Sequence, residues 1–316
     1  MARRALALIF VLLVLLAAIF SGCPAQPPAA GSDQPATVTV AVTRDFGQEL
    51  ILAEELIIED GTDAMTALKT VAEVEAKYGG GFVAAINGIK SEEADQMDWL
   101  YYINGISLSL GAKDYRLGDG DIEHWDFRDW SYQQMIPAII GAFPQPFLSG
   151  IKGEVKPTVV VYDAPFAEEA GALKAKLEGR GVAEVRLESA ETLSDGVKEQ
   201  NNLIMVGRAD NGLILELNEL PKKMGFFAYF EGGKIIVLNE KGEPAGEYGA
   251  GWGLIQATQN PWSPGGIGSG EGCVFIVSGG DETGIRSAAQ ALIDNSDGLH
   301  YAYAVLVNNN EIIKIP

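Results

Sequence analysis

Apolar positions along this chain switch between two periods, and the switches mark its elements. Thr37 to Thr43 (TVTVAVT) alternates apolar and β-branched polar residues, which predicts a strand. Phe46 to Ile58 stays largely apolar but is interrupted by Glu49, Glu54 and Glu55, which predicts a strand pair or hairpin. The period then lengthens. Ala64, Leu68, Val71, Ala72 and Glu75 follow at helical spacing, so a helix is expected from a Thr62 or Asp63 cap through Tyr78, stopped by Gly79–Gly81. Phe82 to Ile86 and Trp99 to Ile103 read as strands, each followed by an Asn-Gly hairpin turn, Asn87–Gly88 and Asn104–Gly105. Tyr115 to Trp125 closes this unit around the tight turn Gly118–Asp121.

From Pro157 the pattern changes to short apolar strands alternating with helices. Strands are expected at Thr158–Tyr162, Val182–Leu187, Leu203–Val206 and Cys273–Ser278. Helices are expected at Phe166–Gly179, Thr192–Glu199, Gly212–Leu220 and Glu282–Ile293. Phe226–Phe230 and Lys234–Leu238 form a hairpin around Gly232–Gly233, and Tyr301–Val307 and Glu311–Ile315 form another around the Asn308–Asn310 turn. This alternation implies a layered, mainly parallel α/β sheet over 157–316. Between the halves, 131–156 is apolar but broken by Pro and Gly, so it reads as a linker packed against the first domain or as an exposed aromatic lid. The expected fold class is therefore α+β and α/β: a small β-grasp-like domain over 37–130, the linker, then an α/β domain.

The N-terminus adds a location. Arg3 and Arg4 precede the apolar run Ala5–Phe20, as in a signal sequence over 1–22. Phe20-Ser21-Gly22-Cys23 resembles the bacterial lipobox, which implies lipid attachment at Cys23 and an extracytoplasmic protein anchored to the cell membrane. The alternative is an uncleaved N-terminal span. Residues 23–36 are rich in Pro, Ala and Ser, a spacer holding the folded part clear of the bilayer. With 23 Lys and Arg against 43 Asp and Glu the formal charge is −20, which excludes nucleic acid and charge-driven binding to anionic lipid. The second Cys, Cys273, sits in an apolar strand and reads as a buried thiol without a disulfide partner.

Two further motifs carry a resemblance. W-L-Y-Y-I-N-G at 99–105 and G-A-K-D-Y-R-L-G-D-G-D-I-E-H-W at 111–125, after a strand-helix opening, look like the transcobalamin-like C-terminal domain of exported bacterial proteins. The resemblance covers about 37–130. It implies a β-grasp-like fold and contact with a corrinoid such as cobalamin, although the α-barrel partner domain of transcobalamin is not present. In the second half, 202–217 and 273–292 loosely resemble α/β modules of S-layer proteins and of the periplasmic cellulose synthase subunit.

The candidate ligand-binding residues are Trp99, Tyr101, Asn104, Tyr115 and Trp125, with Trp252 and Trp262 in Gly249–Gly272, which reads as a long Gly-rich loop. Aromatic rings stack on planar ligands and keep a polar tip at the rim. On a strand Trp99 and Tyr101 share a face while Tyr102 points the other way. Asp119, Asp121, Asp126 and Asp129 read mainly as turn acids; their spacing is not that of an EF-hand loop. Ser278–Gly284 joins a strand to a helix but is neither a phosphate loop nor G-x-G-x-x-G, and Asp281 or Thr283 reads as a cap. His124 has no assignable partner for base chemistry. The chain thus reads as a binding protein and not an enzyme, with no metal or bound cofactor. It captures a corrinoid or another planar molecule for an uptake transporter, or alternatively binds envelope protein or glycan as a cell-surface structural protein.

Overall fold

The computed structural model describes residues 35–309 and 311–316; the expected leader, most of the expected spacer and Cys23 lie outside the described residues. The fold is mixed α+β. Its first sheet has five strands in the order Glu49–Glu59, Pro35–Arg44, Ile122–Asp129, Met97–Ile103, Ile106–Ser107. Pro35–Arg44 runs parallel to Ile122–Asp129 and antiparallel to Glu49–Glu59. The stretch expected to be a hairpin is this single long edge strand.

One helix, Ala64–Val71, covers one face of that sheet. Asp63 caps it by accepting from the Thr66 N–H. Its Ala64, Ala67 and Leu68 seat on Val38, Val40 and Val42. The helix stops seven residues short of the expected Tyr78. Asn87 takes the backbone of Glu73 instead: the Asn87 side-chain oxygen accepts the Glu73 N–H at 2.9 Å, and the Asn87 N–H donates to the Glu73 carbonyl at 2.8 Å. That pulls Val74–Lys77 into a small antiparallel sheet with Phe82–Ile86 and Ile89–Lys90. The two Asn-Gly turns form as expected, with positive φ at both residues of each. At Gly105 a side chain would also meet the Ile139 carbonyl at 2.8 Å, so glycine is required there twice over.

The second sheet has seven strands in the order Val185–Ser189, Thr158–Tyr162, Asn202–Val206, Cys273–Gly279, Gly253–Gln259, Ala304–Asn308, Glu311–Ile315. The first four are mutually parallel and the last three antiparallel, so the sheet is mixed rather than mainly parallel. The difference comes from Gly253–Gln259. It lies inside the stretch expected to be a loop, yet every residue of it is buried. Helices Ala167–Gly179 and Glu282–Asp294 pack on one face of the sheet. Helix Gly212–Asn218 and a three-stranded sheet of Ala228–Glu231, Lys234–Leu238 and Pro244–Tyr248 cover the other.

The apolar segment 131–156 is core rather than lid. Ile140, Phe143 and Phe147 join the helix-bearing core of the second sheet, while Ile136 and Ile139 pack with Tyr102 and Tyr303. All described residues belong to one compact unit. The outward face of the first sheet is therefore buried too. Asp126 accepts from Thr43 Oγ1 at 2.6 Å and from the backbone N–H groups of Phe46 and Gly47 at 3.0 Å. Arg128, with no exposed surface, donates to the carbonyls of Gln133 and Gln134 at 2.8 Å and lies 5.3 Å from the Phe46 ring centroid. Lys314, from the last strand, donates to the Gly47 carbonyl at 2.8 Å.

Two glycines test this packing in opposite directions. A Cβ at Gly141 would collide with the backbone of Tyr301 and Ala302, whereas Gly171, inside helix Ala167–Gly179, has nothing within 4 Å. Urea denaturation should show Gly141→Ala losing about 1–3 kcal/mol and Gly171→Ala gaining up to about 1 kcal/mol. Equal stabilities for the two variants would mean that 131–156 does not pack as described.

Candidate binding cleft

The sequence-predicted aromatic wall is largely core. Trp99 is 6% exposed, Trp125 4% and Tyr115 0%, all packed beneath the helix Ala64–Val71. Trp99 and Tyr101 do share a face, opposite Phe127 and Trp125 in register. That face is the one the helix covers, so the rings meet Ala and Leu side chains instead of presenting a flat surface. Trp252 and Trp262 are not brought to them. They pack on the second sheet, Trp252 edge-on to Tyr248 at 4.9 Å between centroids, and Trp262 donating from Nε1 to Glu216 at 2.9 Å.

Each buried aromatic still needs a partner for its polar tip, and those partners define a site. Tyr101 stacks on Trp125 with centroids 5.0 Å apart and donates its hydroxyl to the Leu110 carbonyl. The Tyr115 hydroxyl accepts the Lys152 N–H at 3.0 Å. Asn104 donates from Nδ2 to the Gly150 carbonyl at 2.7 Å and to Asp121 at 2.7 Å. Leu110, Gly150 and Lys152 are walls of a cleft of about 710 Å³, within the usual size of small-molecule sites. Thus three predicted residues hold the cleft from behind, without lining it.

The cleft opens between the 106–110 end of the first sheet, the 146–156 segment, and the loop 269–273 that leads into strand Cys273–Gly279. Leu108, Leu110, Ile151 and Val155 give it an apolar body; Lys152, Lys156, Glu154 and Glu271 are its charged residues. The loop is fixed by Gln259, whose side-chain oxygen accepts from Gly268 and Gly270 at 2.8 and 3.0 Å. A side chain at Gly270 would approach Leu108 to 3.2 Å and narrow the opening. Asn202 ties the back: its Nδ2 donates to the Lys156 carbonyl at 3.2 Å, and its Oδ1 accepts the Cys273 N–H at 2.9 Å. Gln259, Asn202, Lys152 and Lys156 were not singled out from the sequence. The one available signal was a pair of Lys, four residues apart, in an apolar Pro/Gly stretch of a very acidic chain.

A second cavity, about 480 Å³, sits at the C-terminal ends of the parallel strands, beside Arg208 and Gly279–Glu282. Crevices at this edge commonly bind ligands. Here the chain satisfies its own polar groups. Asp163, following strand Thr158–Tyr162, accepts the Arg208 N–H at 2.7 Å; Arg208 pairs with Asp210 at 3.1 Å. Asp281 caps its helix through the Gly284 N–H and also holds the Gly251 N–H, both at 2.9 Å. The expected capping role of Asp281 is what the geometry shows, and the larger cleft is the better candidate site.

Electrostatics separate the acids by role. Asp129 accepts the Ser131 N–H at 2.7 Å, as turn residues do, whereas Asp119 reaches out of its turn to accept the Thr37 N–H of strand Pro35–Arg44 at 2.8 Å. Burial raises the Asp121 carboxyl above its usual range, against the opposing bonds from Gly118 and Asn104. Burial pushes Glu123 up to about 8; the Trp125 indole N–H, 2.6 Å from Oε1, opposes the shift, and Oε2 has no partner. Burial lowers His124 to about 3, so it is neutral, with Nε2 2.7 Å from the Thr43 hydroxyl.

Residues 61–129 match the family model described as Domain of unknown function (DUF4430), inside the segment that resembles the transcobalamin-like domain. Among solved structures, haptocorrin in complex with Cbi is similar at 18% identity and TM-score 0.26, covering 34% of this chain and 29% of that one. A candidate metal binding protein from Ruminococcus gnavus ATCC 29149 is similar at 14% identity and TM-score 0.24, covering 30% of this chain and 97% of that one. No curated protein matches the chain.

Glu123 yields a signed pH prediction. Its folded-state pKa, about 8, lies above the ordinary 4.5, so the folded protein holds a proton that the unfolded chain releases. The stability this gives is full below about pH 4.5 and is lost as pH rises to about 8. Glu123→Gln keeps the neutral form at every pH. Relative to wild type it should gain stability between pH 5 and pH 9 in urea titrations, and a parallel pH dependence of the two proteins would exclude a protonated Glu123.

Proposed function

We propose that this is a membrane-anchored extracytoplasmic binding protein that holds one small ligand in the cleft between its two main sheets and passes it to an uptake transporter. The observation that carries this reading is the cleft itself: about 710 Å³, with walls from both halves and every wall backed by a side-chain clamp. The Phe20–Cys23 motif supports the anchor. A corrinoid is the specific ligand the resemblance of 37–130 suggests. In this reading the protein is not an enzyme: His124, the one buried histidine, is neutral and engaged with Thr43. A second reading, an envelope interaction protein, draws on the edge strand Glu49–Glu59, where Ile57 is 79% exposed and Leu50 53%.

Ser109 lines the cleft, is exposed and donates no side-chain hydrogen bond to the described residues, so Ser109→Trp fills the space without cutting into the core. Titration of the chain with cobinamide or cobalamin should give a saturable absorbance change at one equivalent, and Ser109→Trp should remove it. Binding that persists in the variant would move the site elsewhere. No corrinoid binding together with capture of envelope polymer would favour the second reading.

The anchor is tested separately. Bacteria expressing the full chain and fed radiolabelled palmitate should label the wild type, and Cys23→Ser should lose the label. Label retained in the variant would sink the lipoprotein assignment.

A further inference from the structure

Resting on the cleft reading above but not on the corrinoid as its occupant, we propose that the ligand is an amphipathic anion. Its apolar body lies against Leu108, Leu110 and Ile151, and its carboxylate or phosphate group is held by the ammonium groups of Lys152 and Lys156. Both lysines line the cleft, four residues apart across the turn Ile151–Glu154. Among the described residues neither ammonium makes an ion pair or hydrogen bond, as is also true of surface lysines such as Lys69 and Lys223, but these two are the lysines that line the cleft.

The backbones that carry the two lysines are fixed from opposite sides. Tyr115, from the first half, accepts the Lys152 N–H at 3.0 Å; Asn202, from the second sheet, donates to the Lys156 carbonyl at 3.2 Å. The Lys156 stem also packs along Gly272, where an added side chain would lie 3.4 Å from its Cδ. This is preorganisation of the backbone: the main chain at both lysines is set before a ligand arrives, which lowers the ordering cost of binding. Of the two carboxylates in the cleft, Glu271 is engaged by its own loop, accepting the Gly265 N–H at 3.2 Å. With Lys152 and Lys156 set against Glu154 and Glu271, the cleft is locally neutral in a chain of formal charge −20. The second cavity has Arg208 against Asp210, Glu231, Asp281 and Glu282, so of the two the cleft repels an anion less. A purely apolar ligand would leave both ammonium groups without use, and a cation would face them.

The test uses two fluorescent probes with the same apolar body, anilinonaphthalene sulfonate and neutral N-phenylnaphthylamine. The protein is the chain lacking residues 1–22 with Cys23→Ser, since all described residues belong to one compact unit. The sulfonate probe should bind more tightly than the neutral one. Lys152→Gln and Lys156→Gln should each weaken it about fivefold and leave the neutral probe unchanged, while Ser109→Trp should remove both. Displacement by octanoate would name a carboxylate ligand and by octyl phosphate a phosphate; displacement by octanol as effective as either would overturn the proposal. Sulfonate affinity unchanged in both lysine variants, with Ser109→Trp still removing both probes, would overturn the anionic end and leave the cleft reading standing. Both probes retained in Ser109→Trp would overturn the two together.

Discussion

The side-chain amide of Gln259 is the constraint on which the cleft depends. It has no exposed surface, and both ends are fully used. Its nitrogen donates to the Ser107 carbonyl at 2.7 Å and the Pro137 carbonyl at 3.0 Å, while its oxygen accepts from Gly268 and Gly270. An amide offers two donors and one oxygen with two lone pairs, and here each is matched. One residue at the end of strand Gly253–Gln259 therefore ties together the first sheet, the apolar segment and the loop that closes the opening. Each bond contributes only about 1 kcal/mol net, but a buried amide left unmatched costs more than that per group. The arrangement is therefore specified as much by the alternatives it penalises as by the bonds it makes.

The buried charges between the two sheets work by the same logic. Asp126 and Arg128 do not form a simple pair. Asp126 collects the turn at Phe46 and Gly47, and Arg128 collects the carbonyls at 129, 133 and 134 while lying over Phe46 and Tyr303. Buried ions are costly unless their hydrogen-bonding capacity is met. Backbone from the turn and from the start of the apolar segment meets most of it, with Arg128 Nε left unmatched, and this fixes where that segment leaves the first sheet. The cleft wall at 150–156 lies further along the same segment.

Local signals in the sequence were reliable where local chemistry decides. The alternation of Thr37–Thr43, the Asn-Gly turns and the apolar faces of the helices at 167–179 and 282–294 all form, because each depends on neighbours a few residues away. The helix expected through Tyr78 ends at Val71 because Asn87, sixteen residues on, competes for the Glu73 backbone. The strand Gly253–Gln259 was hidden by its polar residues: Gln256, Thr258 and Gln259 are buried, and Gly253 packs against the helix at Gly284, so neither the apolar pattern nor the glycine revealed it. The cleft was illegible for a stronger reason. Its walls come from 106–110, 150–156 and 269–273, and no local pattern links them.

The aromatic residues that drew attention in the sequence keep a connection to the cleft, at one remove. A tyrosine buried under a helix must place its hydroxyl on some partner. In Tyr101 and Tyr115 the hydroxyls meet the backbone of Leu110 and Lys152, and Asn104 meets Gly150 in the same way. The ring is thus core and the polar tip is scaffold for a wall. A change at these positions acts on the cleft by moving backbone, and its effect on binding would scale with its effect on folding. A change at Lys152 or Lys156 alters the charge facing the ligand while leaving Tyr115, Asn202 and the packed rings in place. The distinction between residues that shape the cleft and residues that face into it follows from which side of the same few hydrogen bonds each one occupies.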